Sequence, residues 1–172
     1  MGISLGVVGL GSFGSAFVDL FARHPHVDRI ALCDRETDRV AKFAEYLSDS
    51  KKFHESDCYY DLQEIIQSDI EAIALITQPW FHAPQAIDVM EAGKHAYSAV
   101  PVIYLPDADE ILQWCDRLIN TCERTGMYYM LGETTYYRPS AMYCRRRAAE
   151  GAFGAFVYAE GQYFHDVSHG LR

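Results

Sequence analysis

Residues 6–17, Gly-Val-Val-Gly-Leu-Gly-Ser-Phe-Gly-Ser-Ala-Phe, contain Gly9-Leu10-Gly11-Ser12-Phe13-Gly14, a G-x-G-x-x-G string. In the right surroundings this spacing cradles a pyrophosphate. The first glycine permits a tight turn, the second lets the backbone approach the phosphates, and the third lets a helix pack closely on a strand. Amides near Ser12 and Phe13 then face the phosphates, with the positive end of a helix dipole behind them. Asp34 lies 20 residues beyond Gly14. That is the offset at which a dinucleotide fold sets a carboxylate against the adenosine ribose hydroxyls. Arg35, directly after it, offers a cation for a 2′-phosphate, but Asp34 would repel that phosphate. The combination points to NAD, with NADP the weaker fit.

The string carries weight only between a strand and a helix, since 12 glycines in 172 residues also produce chance matches. Ile3 to Val8 is short and mostly apolar, as a buried parallel strand is. Ala16, Phe17, Leu20 and Phe21 then recur at helical spacing up to His24-Pro25. Arg29 to Cys33 reads as a second strand that delivers Asp34 at its end. Thr37 to Leu47 is an amphipathic helix, and Phe53 to Tyr60 leaves room for a short third strand. Asp61 to Gln67 is a short helix and Ala72 to Thr77 a fourth strand. A helix from Phe81 to Ala92 tolerates Pro84 in its first turn and ends at Gly93. His95 to Ser98 is a fifth strand. Asp107-Ala-Asp-Glu110 opens a helix by capping, Gly126 stops it, and Met127 to Leu131 is a sixth strand. The alternation predicts an α/β Rossmann fold, a doubly wound parallel sheet ordered 3-2-1-4-5-6.

Two segments carry a resemblance beyond this pattern. Residues 70–101, IEAIALITQPWFHAPQAIDVMEAGKHAYSAVP, resemble the glucose-fructose oxidoreductase, inositol dehydrogenase and MocA family, as does EGAFGAFVYAEGQY at residues 150–163. The resemblance implies an NAD(P)-dependent oxidoreductase acting on a sugar or polyol. It places Thr77, Gln78 and Pro79 at the cofactor, and leaves His82 either lining the nicotinamide side or capping its own helix. It also implies residues 1–132 as the dinucleotide domain, 133–151 as a connecting helix, and 152–172 as the first strand of a second, α+β domain. Residues 153–165 would then pair between copies in a homo-oligomer. Where the family carries Glu-Lys-Pro, with the lysine exchanging a proton with substrate, this chain has Ala99-Val100-Pro101. Val100 exchanges no proton, and Lys94 precedes its strand, at the end of the sheet away from ligands. No catalytic residue is therefore assigned. The alternatives are a redox-neutral glycosidase or epimerase that uses NAD transiently, and a dinucleotide-binding module without catalysis. His165, Asp166 and His169 read as loop or pocket-rim groups, too few and too loosely spaced for a metal.

Composition narrows the partners. Fifteen Lys and Arg against 24 Asp and Glu give a net charge of −9, a poor footprint for nucleic acid. No apolar run approaches the roughly 18 residues of a membrane span, and the start lacks a charged signal-peptide region. Gly2 is followed by Gly6 where a myristoylation signal needs Ser or Thr. The five cysteines form no C-x-x-C pair, so a reduced, cytoplasmic protein is expected.

Overall fold

The computed structural model describes residues 2–162 and 164. The chain divides into two compact units, Met1–Glu133 and Thr134–Arg172. In the first unit, β1 (Ile3–Val8), β2 (Val27–Cys33), β3 (Cys58–Tyr59), β4 (Ala72–Leu75), β5 (His95–Ser98) and β6 (Tyr129–Leu131) form one sheet. Its order is β3-β2-β1-β4-β5-β6, and every pairing is parallel. The expected order is the one observed.

Alternation along the strands decides which helices cover which face. Val7, Ile30 and Leu32 point to one side, where α1 (Gly14–Arg23) and α2 (Thr37–Tyr46) bury Phe17, Val18, Val40 and Phe43 against them. Val8, Ala31 and Cys33 point to the other. There α3 (Leu62–Ile66), α4 (His82–Glu91) and α5 (Ala108–Thr125) contribute Ile65, Ala83, Ala86, Val89, Met90 and Leu118. A sheet covered on both faces needs apolar residues at consecutive positions, which is why these strands read as continuous apolar runs.

The helix ends follow the capping chemistry of the sequence. The Asp107 carboxylate accepts the Glu110 amide at 2.8 Å, and Gly126 closes α5 with φ of 71°, a conformation that glycine adopts without strain. Several boundaries differ from expectation. Strand β2 begins at Val27 because Ile3 pairs with it, and β4 ends at Leu75 because the chain beyond turns into the loop that carries Thr77. A 3-10 turn, Pro79–Phe81, precedes α4.

The second unit contains a 3-10 turn (Thr134–Tyr137) and α6 (Pro139–Ala149). The Arg145 guanidinium lies 3.8 Å from the Tyr136 ring centre. The first strand of a second domain, expected within residues 152–172, is absent among the described residues, which form turns and coil. Its sequence has strand character, but a lone strand has no neighbour to take its backbone hydrogen bonds. Phe156, Val157 and Tyr158 are instead exposed. Tyr163, His165, Asp166 and His169 lie outside the described residues. Among the described residues no helix is long and apolar enough to cross a membrane, and no group of His, Cys, Asp and Glu could hold a metal.

Candidate functional site

Strand order reverses between β2-β1 and β1-β4, and an open α/β sheet binds its ligands outside the carboxyl ends at such a switch point. A cleft of about 350 Å³ lies there. Its walls are the turn after β1, with Gly9 and Gly11, the turn after β2, with Asp34, Arg35 and Arg39, and the loop after β4, with Thr77, Gln78, Phe81 and Gln85. Tyr60 and Leu62 close the β3 side, and Cys33 lies at the floor. Burial first, then the nearby carboxylates of Asp61, Asp34 and Glu64, push the Cys33 thiol up to about 12. It stays protonated and unreactive.

The three glycines of the motif differ physically. Gly9 has φ of +94°, and a Cβ there would collide with the Ile76 carbonyl. A Cβ on Gly14 would collide with the Gly9 carbonyl oxygen. Both are required by the protein's own packing. Gly11 is not: its φ is outside the left-handed range, and the nearest atom to an added Cβ would be an Arg39 guanidinium nitrogen at 4.0 Å. Gly11 lines the cleft, and a side chain there would meet the cleft space rather than the protein's own packing. Among the described residues, the backbone N–H groups of Gly11, Ser12, Phe13 and Gly14 donate to no protein acceptor. Four free donors at a helix start, beside a glycine with space above it, fit a dinucleotide pyrophosphate. The cofactor fits the residues present.

Asp34 is buried and has more than one task. Its Oδ2 accepts the Leu10 amide at 2.7 Å, and its Oδ1 accepts the Glu36 amide at 2.9 Å. It thereby joins the turn after β1 to the turn after β2. An Arg39 Nη1 stands 3.4 Å from Oδ2. The carboxylate still has lone-pair capacity on Oδ1 for a ribose hydroxyl. Arg35, by contrast, is 82% exposed and pairs with Glu36 at 3.5 Å.

The cleft gathers Gly9, Gly11, Asp34, Arg35, Thr77 and Gln78 among the residues expected at the cofactor. Ser12, Phe13 and Gly14 stand at the start of α1, where their amides matter and their side chains do not line the wall. Pro79 opens the 3-10 turn. His82 is the first residue of α4. It is 1% exposed, with Nδ1 2.7 Å from the Pro101 carbonyl oxygen and Nε2 3.0 Å from that of Thr77. The imidazole faces inward and ties the loop after β4 to the loop after β5. The Thr77 hydroxyl donates to Gln85 Oε1 at 2.6 Å.

Val100 is 44% exposed in the loop after β5. Lys94 is at the amino ends of the strands, where its ammonium donates to the Ser68 and Ile70 carbonyls at 2.6 and 2.7 Å. Its pKa is lowered by burial. Sequence reasoning missed Arg39, Tyr60, Phe81 and Gln85 as lining residues. The signal for Arg39 was available, because α2 starts at Thr37 and its first turn sits beside the end of β2.

Comparison with known proteins agrees with this geometry. Residues 3–133 match the model of the oxidoreductase family with the NAD-binding Rossmann fold. The chain is 29% identical over 171 residues to an alpha-N-acetylgalactosaminidase of Shewanella oneidensis, covering 96% of this chain and 36% of that protein. It therefore spans about a third of that relative's length. The scyllo-inositol dehydrogenase of Lactobacillus casei, solved with NAD(H) and scyllo-inositol, superposes with a TM-score of 0.74 at 21% identity, over 90% of this chain and 43% of that one. The WlbA dehydrogenase of Bordetella pertussis, solved with NADH and UDP-GlcNAcA, gives 0.74 at 19%, over 90% and 44%. These two structures share the fold. With its glycine turn, its acid at the end of β2 and a family match over residues 3–133, the chain belongs to the glucose-fructose oxidoreductase, inositol dehydrogenase and MocA family and carries that family's NAD-binding domain.

Proposed function

We propose that this chain is the cofactor-binding part of an NAD-dependent oxidoreductase-like enzyme acting on a sugar or polyol. The observation that carries the reading is Gly11, a glycine without a packing reason set beside four free amides. Bound NAD supplies a carbon that accepts and returns a hydride. The chain's own residues bind and orient it. The amides of 11–14 take the pyrophosphate, Asp34 takes the adenosine ribose, and Thr77 and Gln78 border the cleft on the β4 side. His82 keeps that loop in register with the loop bearing Val100. The sugar or polyol is supported by the scyllo-inositol and UDP-GlcNAcA of the two similar structures.

A second reading is a redox-neutral glycosidase that borrows the hydride and gives it back. The alpha-N-acetylgalactosaminidase relative, matched along nearly the whole of this chain, favours it. Val100 does not separate the two readings, since transient oxidation of a hydroxyl by NAD also releases a proton that position 100 cannot accept.

Titration of NADH fluorescence tests the site. Asp34→Ala is expected to weaken NADH by about 1.5 to 3 kcal/mol, the range for hydrogen bonds to a charged group, and unchanged affinity would refute the assignment. Turnover then separates the readings. Net NADH formation with a sugar or polyol panel supports the dehydrogenase, and cleavage of aryl N-acetylgalactosaminides without net NADH supports the glycosidase. Because this chain is read as the cofactor-binding part, the turnover assays are run with the substrate-binding part present, and NADH binding with neither activity there leaves a non-catalytic dinucleotide module.

A further inference from the structure

We propose that His82 is a proton-dependent latch: its ring, protonated at both nitrogens, ties the loop after β4 to the loop after β5, and loss of one proton as pH rises loosens the Thr77 side of the cleft. His82 is thus a positioning residue, and its effect on NAD affinity rests on the reading that the cleft holds a dinucleotide.

The ring has two nitrogens and meets two acceptors. Nδ1 stands 2.7 Å from the Pro101 carbonyl oxygen and Nε2 stands 3.0 Å from that of Thr77. A carbonyl oxygen only accepts, so both contacts are hydrogen bonds only when both nitrogens carry a proton. A neutral imidazole keeps one proton, and its other nitrogen then turns a lone pair toward a carbonyl. The ring is 1% exposed, so water does not replace the lost donor, and an unpaired polar group inside the protein is costly. The shorter contact, to Pro101, keeps its proton. The contact to Thr77 is the one given up.

No neighbouring charge substitutes for that proton. Residues 76–87 and 99–106, which supply both loops, the 3-10 turn and the start of α4, contain no Asp, Glu, Lys or Arg. Their only other titratable side chain is Tyr104, which is 67% exposed. Asp88, further along α4, lines the groove against α5, and Asp107, Asp109 and Glu110 are exposed at the start of α5. Strand β4 has no ionisable group, and β5 has His95 at its far end and Tyr97 on its other face. Among the described residues no carboxylate pairs with His82. Histidine changes charge between about pH 5 and 8, and no histidine lines the cleft, which Thr77 and Gln78 border. His24, His26 and His95 line a separate groove.

Calorimetry measures NAD affinity of the 172-residue chain between about pH 5.5 and 8.5, and NMR of nitrogen-labelled histidine counts the protons on each ring, with His82→Gln assigning the resonance. Both His82 nitrogens are expected to carry protons at the acid end and one at the alkaline end. NAD affinity should fall by about 3- to 10-fold with the same midpoint, the range of one hydrogen bond. Gln offers an amide donor and does not titrate, so His82→Gln should bind NAD near the native alkaline value at every pH. A ring whose proton count never changes, or an affinity that stays flat while the ring titrates, overturns the proposal. So does a pH slope that persists in His82→Gln. Should that variant not fold, replacing the other six histidines by Gln leaves His82 as the one ring, and agreement or disagreement of the two midpoints decides. Failure to bind NAD at any pH overturns the cofactor reading, while the ring protons still decide whether the latch exists.

Discussion

Gly11→Val is expected to weaken NADH binding by at least about 100-fold, roughly 2.7 kcal/mol, while the protein melts as the native chain does. The added side chain meets nothing in the protein nearer than Arg39 at 4.0 Å, so folding has no reason to change. It fills the space the pyrophosphate needs, and it shields the free amides of residues 11–14. Gly14→Ala should behave in the opposite manner. Its Cβ would collide with the Gly9 carbonyl, a backbone atom that cannot rotate away. The turn must shift to admit it, at about 3 kcal/mol of stability. Urea unfolding and NADH titration of the two variants check this. Native affinity in Gly11→Val would remove the pyrophosphate from the turn, and native stability in Gly14→Ala would show that the turn yields more easily than its geometry says.

A stability effect of similar size is expected far from the glycines. Asp57, fully buried, accepts Arg29 Nε at 2.8 Å and Nη2 at 2.5 Å, a fork that ties β2 to the entry of β3. Removing one partner of a buried pair leaves the other uncompensated, which costs about 3 to 5 kcal/mol. Arg29 is 30% exposed, which puts Asp57→Ala near the lower figure. Asp69 pairs with the same arginine at 2.9 Å but is 76% exposed, and Asp69→Ala should change stability by less than about 1 kcal/mol. Equal urea midpoints for the two variants would refute this division. Because β3 leads directly into Tyr60 at the cleft wall, Asp57→Ala should also loosen the adenosine side.

What was legible in the sequence was local or periodic. The strand, glycine turn and helix of residues 3–23, the acid at 34, the Asp107 cap and the Gly126 stop all declare themselves within a few neighbours. The sheet order followed from the alternation alone, since a right-handed crossover chain has few other ways to wind. What was not legible joins distant residues. Arg29 and Asp57 look like two surface charges until β3 brings them together. Asp34 reads as a ribose ligand, and nothing in its neighbourhood says that it also holds the Leu10 amide. His82 follows a proline turn and looked like a pocket or cap residue, yet its ring is drawn inward by the carbonyls of Thr77 and Pro101. The resemblance implies a strand within residues 152–172, and residues 155–164 have strand character, but a strand needs a neighbour as well as suitable residues.

The division of labour among the amides of the glycine turn makes this segment its own isotope recorder. The Leu10 N–H is locked onto a buried carboxylate, so its deuterium uptake waits for the turn itself to open. The N–H groups of residues 11–14 have no protein partner among the described residues, and they should exchange as quickly as solvent reaches them. Protection in exchange follows hydrogen bonding and burial residue by residue. Saturating NADH should therefore slow exchange at 11–14 and leave Leu10 nearly as it was. Such a contrast between adjacent amides marks where the phosphates rest without any substitution in the chain.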